Sequence, residues 1–298
     1  MFDGFATSVI DVGETSIFIR RKGSGRPLLL LHGFPQTHAM WHRVAPRLAE
    51  RFTVVCADLR GYGASGKPKS AADHAPYAKR AMAHDMVRMM EALGFPSFGL
   101  VGHDRGGRVA YRLALDWPER VERLAVLDII PTSEAFARAD SRFALAFWPW
   151  SLLSQPEPLP ERLIAAAPEA IVDDALSQWG SDSAGFPADV RAAYVDALRD
   201  REAIHAICEE YRAAATLDVE HDLADRKASR RIACPTLALW SSGSPLDTWY
   251  AAEGGPLAIW LAWAGEVRGR AIAGGHFFPE VNPDETATEL AAFFSGVR

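Results

Sequence analysis

The sequence predicts an α/β fold, a mostly parallel sheet flanked by helices with an all-helical segment inserted into it. Three observations carry this expectation. Apolar strand-like runs alternate with helical patterns as far as Ile130. From Pro131 to about Lys227 strand-like runs vanish, and helical stretches rich in Ala, Trp and Pro replace them. Sheet-like punctuation resumes at Ile232 to Trp240. Residues 1–130 and 228–298 are therefore expected to form one core, with residues 131–227 as a helical cap. A second independent domain is the alternative, but the core needs its last strands and a late histidine.

The elements read in order. Thr15 to Arg20 is a strand, and Gly23-Ser24-Gly25 its turn. Pro27 to Leu31 is a buried strand ending in His32-Gly33-Phe34-Pro35. Phe52 to Ala57 is another, followed by Asp58 to Ser65. Ala81 to Leu93 spaces apolar residues three and four apart, as a helix does. Phe98 to Val101 is a strand, Val109 to Leu115 a helix, and Arg123 to Ile130 a strand containing Asp128. Gly269 to Ala273 is the final strand.

A chain of 298 residues with 49% hydrophobic content can bury a full core and carry a subdomain. The formal net charge of -6 argues against nucleic acid or an anionic membrane as the main partner. An anionic substrate must then be attracted locally, by particular arginines. Cys56, Cys208 and Cys234 are too few and too scattered for a disulfide framework or a metal site. Met1-Phe2-Asp3-Gly4 lacks a basic and apolar signal segment, and no apolar run approaches membrane-spanning length. A soluble cytoplasmic protein is expected.

The chemistry centres on Gly102-His103-Asp104-Arg105-Gly106-Gly107. It joins a predicted strand to a predicted helix through small residues, the setting of a nucleophile elbow. Asp104 stands where such an elbow usually carries serine. An aspartate there forms an ester with an sp3 carbon by displacing a leaving group, which points to carbon–halogen or epoxide bonds. Reopening that ester needs a base. His276, in Gly274-Gly275-His276-Phe277, follows the final strand and lies at the same sheet edge. The bland alternative is a loop histidine bonded to a carbonyl.

An acid must hold the base. Asp128 and Asp247 each follow a strand, and either could instead be a turn residue or helix cap. The later strand, before Asp247, is the more usual origin of such an acid. The backbone N–H groups of Phe34 and Arg105 are expected to receive the oxyanion of ester hydrolysis. Arg105 and Arg108 lie three residues apart in the first turn of the elbow helix, where cations oppose the helix dipole. Two of them beside a nucleophile suggest that an anion completes the site, a short carboxylic acid held by its carboxylate. Arg112, one turn on, reads as a structural residue.

The chain resembles the haloacetate dehalogenases of the α/β-hydrolase superfamily, and the fluoroacetate dehalogenases closely. The likeness runs through His32 to Gln36, Asp58 to Ser65, Gly102 to Arg108, Ala114-Leu115-Asp116, Leu127-Asp128-Ile129, Glu209 to Ala213 and Gly275-His276-Phe277. An aspartate elbow with arginines at these two positions is the specific part; epoxide hydrolases share the rest. The resemblance implies Asp104 as nucleophile, His276 as base, Asp128 as its acid, and Arg105 with Arg108 as carboxylate clamp. It also implies a halide pocket containing Trp150 and Tyr211, no cofactor or metal, and a homodimer. One departure stands out: the family's Trp-His-Trp segment reads Trp148-Pro149-Trp150 here. Proline supplies no donor, so fluoride, the poorest leaving group of the halides, loses a hydrogen bond.

The expected activity is therefore conversion of short 2-haloacids to 2-hydroxy acids. An epoxide hydrolase is the alternative, with Tyr194 and Tyr211 as the tyrosines that such enzymes use, although two arginines have no task on a neutral epoxide. A non-catalytic binding protein is a third reading, disfavoured because nucleophile, base and acid candidates are all present.

Overall fold

The computed structural model describes residues 1–181 and 185–296; residues 182–184, inside the expected insertion, and 297–298 lie outside the described residues. The strands are β1 (Ala6–Asp11), β2 (Ser16–Lys22), β3 (Pro27–Leu31), β4 (Thr53–Ala57), β5 (Phe98–His103), β6 (Val121–Leu127), β7 (Thr236–Ser241) and β8 (Val267–Ile272). They form one sheet in the order β1-β2-β4-β3-β5-β6-β7-β8. β1 pairs antiparallel with β2, and β2 with β4; every later neighbour is parallel.

The central strands are mostly apolar because helices cover both faces of a parallel sheet. Leu28, Leu29, Leu30 and Leu31 of β3 are all buried, as are Leu100 and Val101 of β5. The helix Asp104–Asp116 packs on β5 and β6 and against the helix Lys79–Ala92. The expected strands and helices are all present, with ends shifted by a few residues. β6 stops at Leu127, earlier than the apolar run suggests, because Asp128 turns to a φ of +54°. β7 starts at Thr236, while Ile232 makes only an isolated bridge to Ala264. β1 escapes sequence reading altogether: five of its six residues are exposed, so its edge position leaves no apolar pattern.

Between β6 and β7 every described element is helical, from Thr132–Ala137 to Val219–Lys227. Arg201–Ala213 continues through a π-helical turn at Ala214–Asp218 into Val219–Lys227. Phe143, Trp150 and Tyr211 from this stretch border the same cavity as Asp104 and His276. The inserted helices thus lie over the carboxyl-terminal edge of the sheet, where open α/β sheets place their ligands. Among the described residues no helix is long and apolar enough to cross a membrane.

Candidate active site

Asp104 opens the helix that follows β5. Its φ of +46° lies in the left-handed region, which costs a non-glycine residue roughly 1–3 kcal/mol and persists only where the surroundings enforce it. Missing side chains around it make the turn possible. A Cβ on Gly106 would fall 2.4 Å from the His32 carbonyl oxygen, and one on Gly33 would fall 2.5 Å from Asp104 Oδ1. Close approach at Gly33 lets the next N–H reach the carboxylate: Phe34 donates to Asp104 Oδ1 at 2.9 Å. The Arg105 N–H belongs to the first turn of the same helix, where no intrahelical acceptor exists.

Oδ2 faces His276, with 4.0 Å to Nε2. His276 Nδ1 donates to Asp128 Oδ2 at 2.6 Å, which leaves Nε2 of the neutral ring bare toward Asp104. Asp128 Oδ1 in turn accepts the Ser241 N–H at 2.7 Å. Asp247 is occupied elsewhere, accepting from Trp240 Nε1 at 2.8 Å and from the Gly243 N–H at 2.9 Å. Of the two candidate acids, Asp128 reaches the histidine and Asp247 braces the turn after β7. His103 lies against His276 with ring centroids 4.7 Å apart and planes tilted by 46°, and it donates from Nε2 to the His276 carbonyl at 2.8 Å.

The charges of the site sustain one another. Burial alone would raise the Asp104 carboxyl, but His276, Arg105, His103 and Arg108 outweigh it and hold it below the ordinary carboxylate range. Burial alone would lower His276, but the Asp128 hydrogen bond and charge, followed by Asp104, raise it above the ordinary imidazole value. His103 is pushed down to about 4 by burial and by the neighbouring His276, so it stays neutral.

The two arginines have different surroundings. Arg108 lines the cavity; Nη1 donates to the Ile130 carbonyl at 3.0 Å and to Thr132 Oγ1 at 3.2 Å, while Nε is buried without a partner. Among the described residues no carboxylate pairs with it, and burial, reinforced by Arg105, brings it down to about 10. Arg105 lies beneath, outside the cavity lining. Its Nε donates to both oxygens of Glu210, at 2.8 and 2.9 Å, its Nη2 donates to Oε1, and only Nη1 is buried and unpartnered. Lys79 also pairs with Glu210, and Asp218 with Lys79. Arg112 is held by Asp222 and Asp225, the structural position expected of it.

The cavity around Asp104 measures about 40 Å³. Trp150 forms one wall, 4.4 Å from the Arg108 guanidinium carbon to its ring centroid, with Pro149 beside it. Tyr211 forms another; the Arg105 guanidinium lies 4.0 Å from its ring centroid. Tyr194 is not among the lining residues and sits buried beside Glu280 and Gln36. Sequence reading missed Tyr250 and Trp179, both of which line the cavity. It also missed Glu210, whose signal was an acidic residue on the apolar side of a helical run. Among the described residues no group of three or more His, Cys, Asp or Glu is placed to hold a metal ion.

Known proteins share this architecture. Residues 26–283 match the family model of the alpha/beta hydrolase fold. A fluoroacetate dehalogenase of Burkholderia sp is 46% identical over 299 residues, covering 100% of this chain and 96% of that protein. A soluble epoxide hydrolase of Corynebacterium sp. (strain C12) is 32% identical, covering 93% of this chain and 92% of its own length. The crystal structure of a Nostoc sp PCC 7120 protein assigned to the alpha/beta hydrolases superposes with a TM-score of 0.96 at 46% identity, covering 99% of this chain and 100% of that one. The chain belongs to the α/β-hydrolase-fold family and is a homologue of a fluoroacetate dehalogenase.

Proposed function

We propose that this protein hydrolyses short 2-haloacids, haloacetates foremost, to 2-hydroxy acids through an ester on Asp104. The observation that carries the proposal is the Asp104 carboxylate sharing one small cavity with Arg108, a buried guanidinium that has no carboxylate partner among the described residues. A substrate carboxylate supplies the missing counter-ion and places the α-carbon against Asp104 Oδ2. Oδ2 bonds to that carbon as the carbon–halogen bond breaks, and the halide leaves toward Trp150 and Tyr211. Arg105, fixed by Glu210, contributes its remaining Nη1 and its charge.

His276, oriented by Asp128, then takes a proton from water, and the hydroxide adds to the Asp104 carboxyl carbon. The Phe34 and Arg105 N–H groups receive the resulting oxyanion. Collapse releases the 2-hydroxy acid and restores the carboxylate. The helices of residues 131–227 act as a cap that closes this cavity over the sheet edge. With Pro149 lacking a donor, chloride and bromide leave more readily than fluoride. The test is halide release from chloroacetate, bromoacetate and fluoroacetate, with Asp104→Ala as control. Single turnover in heavy-oxygen water should label Asp104 before product; label appearing directly in product, or an unimpaired Asp104→Ala variant, overturns the proposal.

A further inference from the structure

Two tyrosines line the cavity that holds Asp104. Tyr211 enters it from the helix Arg201–Ala213, and Tyr250 from the segment after the short helix Pro245–Trp249. Each is 4% exposed. Among the described residues nothing hydrogen-bonds to either phenol oxygen, unlike Tyr62, Tyr77 and Tyr111, whose hydroxyls donate to Glu210, Pro68 and Asp222. Burial raises both Tyr211 and Tyr250 above the ordinary phenol range, so both keep their protons at neutral pH. A departing halide needs hydrogen bonds but no proton. A departing alkoxide needs a proton, and a phenol within reach can supply one.

Two further features restrict what such a leaving group could be attached to. The unpaired Arg108 favours a substrate that carries a carboxylate, and a neutral epoxide leaves that buried cation without a counter-ion. The space at Asp104 itself is small, about 40 Å³, and a wider cleft of about 620 Å³ adjoins it past Phe147, Trp179 and Leu246. We propose that the same cavity also opens short 2,3-epoxy acids, of which oxirane-2-carboxylate is the smallest, giving 2,3-dihydroxy acids. This rests on the haloacid reading, since it uses the same Arg108 seat and the same Asp104 ester.

The step balances without a further reactant. Asp104 Oδ2 bonds to C2, the C2–O bond of the ring breaks, and its electron pair stays on the oxygen still attached to C3. That oxygen takes the phenol proton. A phenolate on Tyr211 is stabilised by the Arg105 guanidinium, 4.0 Å from its ring centroid. Water, deprotonated by His276, then opens the ester at the Asp104 carboxyl carbon. One proton of that water ends on the C2 hydroxyl and the other restores the phenol, so one epoxide and one water become one diol.

The experiment offers the intact enzyme racemic oxirane-2-carboxylate, propylene oxide and chloroacetate in parallel, with Asp104→Ala as the background for each. The expected result is enzymatic 2,3-dihydroxypropanoate, with kcat/KM exceeding that for propylene oxide by at least about tenfold, the worth of one charge-assisted contact. Tyr250→Phe and Tyr211→Phe, each removing a single oxygen, should lower epoxy-acid turnover by roughly 100-fold or more for whichever phenol is the donor. The accompanying loss on chloroacetate should be smaller. Chloride release without any diol overturns this inference and leaves the haloacid reading standing. Diol formation without chloride release overturns the haloacid reading instead. Equal turnover of propylene oxide, or full epoxy-acid turnover in the double Phe variant, overturns the assigned roles of Arg108 and of the phenols.

Discussion

Replacing Arg108 with methionine should weaken catalysis and strengthen the fold at once. Arg108 is 4% exposed and has neither a carboxylate partner nor a partner for Nε among the described residues. Burial first, and the Arg105 charge second, lower it from the ordinary guanidinium range to about 10. Both folded and unfolded chains hold this proton at neutral pH, so the full difference, about 3 kcal/mol, opposes folding there. Methionine keeps the stem packed on Trp150 and discards the charge. Loss of the hydrogen bonds to Ile130 and Thr132, about 1 kcal/mol each, leaves a net gain of roughly 1–2 kcal/mol.

The same substitution removes the counter-ion of the substrate carboxylate. A lost buried charge contact of roughly 2–4 kcal/mol lowers kcat/KM for chloroacetate by about 30- to 1000-fold. Arg105→Met runs the other way in stability. It removes one of the two cations held by the fully buried Glu210, leaving Lys79 and the Tyr62 hydroxyl on that carboxylate, and should cost roughly 1–3 kcal/mol. Urea unfolding and steady-state halide release on both variants separate the two roles. An Arg108→Met protein that unfolds earlier than wild type, or that retains its KM, refutes this reasoning.

Three other predictions follow from the same geometry. His276→Ala leaves ester formation intact, since Asp104 attacks without a base, but stops its hydrolysis; rapid-quench chloride assays should show a single equivalent released, and intact-protein mass spectrometry a carboxymethyl group on Asp104. Sustained turnover would contradict the role of His276. Pro149→His restores a donor beside Trp150, and the ratio of fluoride to chloride release should rise by about 10- to 100-fold, with an unchanged ratio speaking against a halide seat at that wall. Glu280 is buried, and burial pushes its carboxyl from 4.5 up to about 8 against the hydrogen bond of Gln36. The folded chain therefore keeps a proton that the unfolded chain releases, and stability falls as pH climbs from about 4.5 to about 8. Glu280→Gln should be more stable than wild type at pH 8, by up to about 5 kcal/mol, and close to it at pH 4.5; denaturant midpoints shifted equally at both would exclude this titration.

The elbow and the order of its partners were legible in the sequence, because they depend on local sterics. A non-glycine residue at positive φ in so tight a turn needs neighbours without side chains, and Gly33, Gly102 and Gly106 announce the turn at Asp104. The apolar runs of β3 and β5 likewise announce strands covered on both faces, whereas the exposed edge strand β1 leaves no such trace. Residues alone left both Asp128 and Asp247 open, with the later strand favouring Asp247, and only the tertiary structure decides that Asp128 reaches Nδ1 of His276 while Asp247 braces a turn. The arginines follow the same rule. Their spacing puts both close to Asp104, but Glu210, more than one hundred positions away, captures Arg105, while Arg108 lines the cavity. Tyr250 enters that cavity and Tyr194 does not, although both are buried tyrosines. Sequence sets what the chain can do locally; long-range packing sets which charges meet a partner and which tyrosines line the cavity at Asp104, because those contacts join segments that share no local pattern.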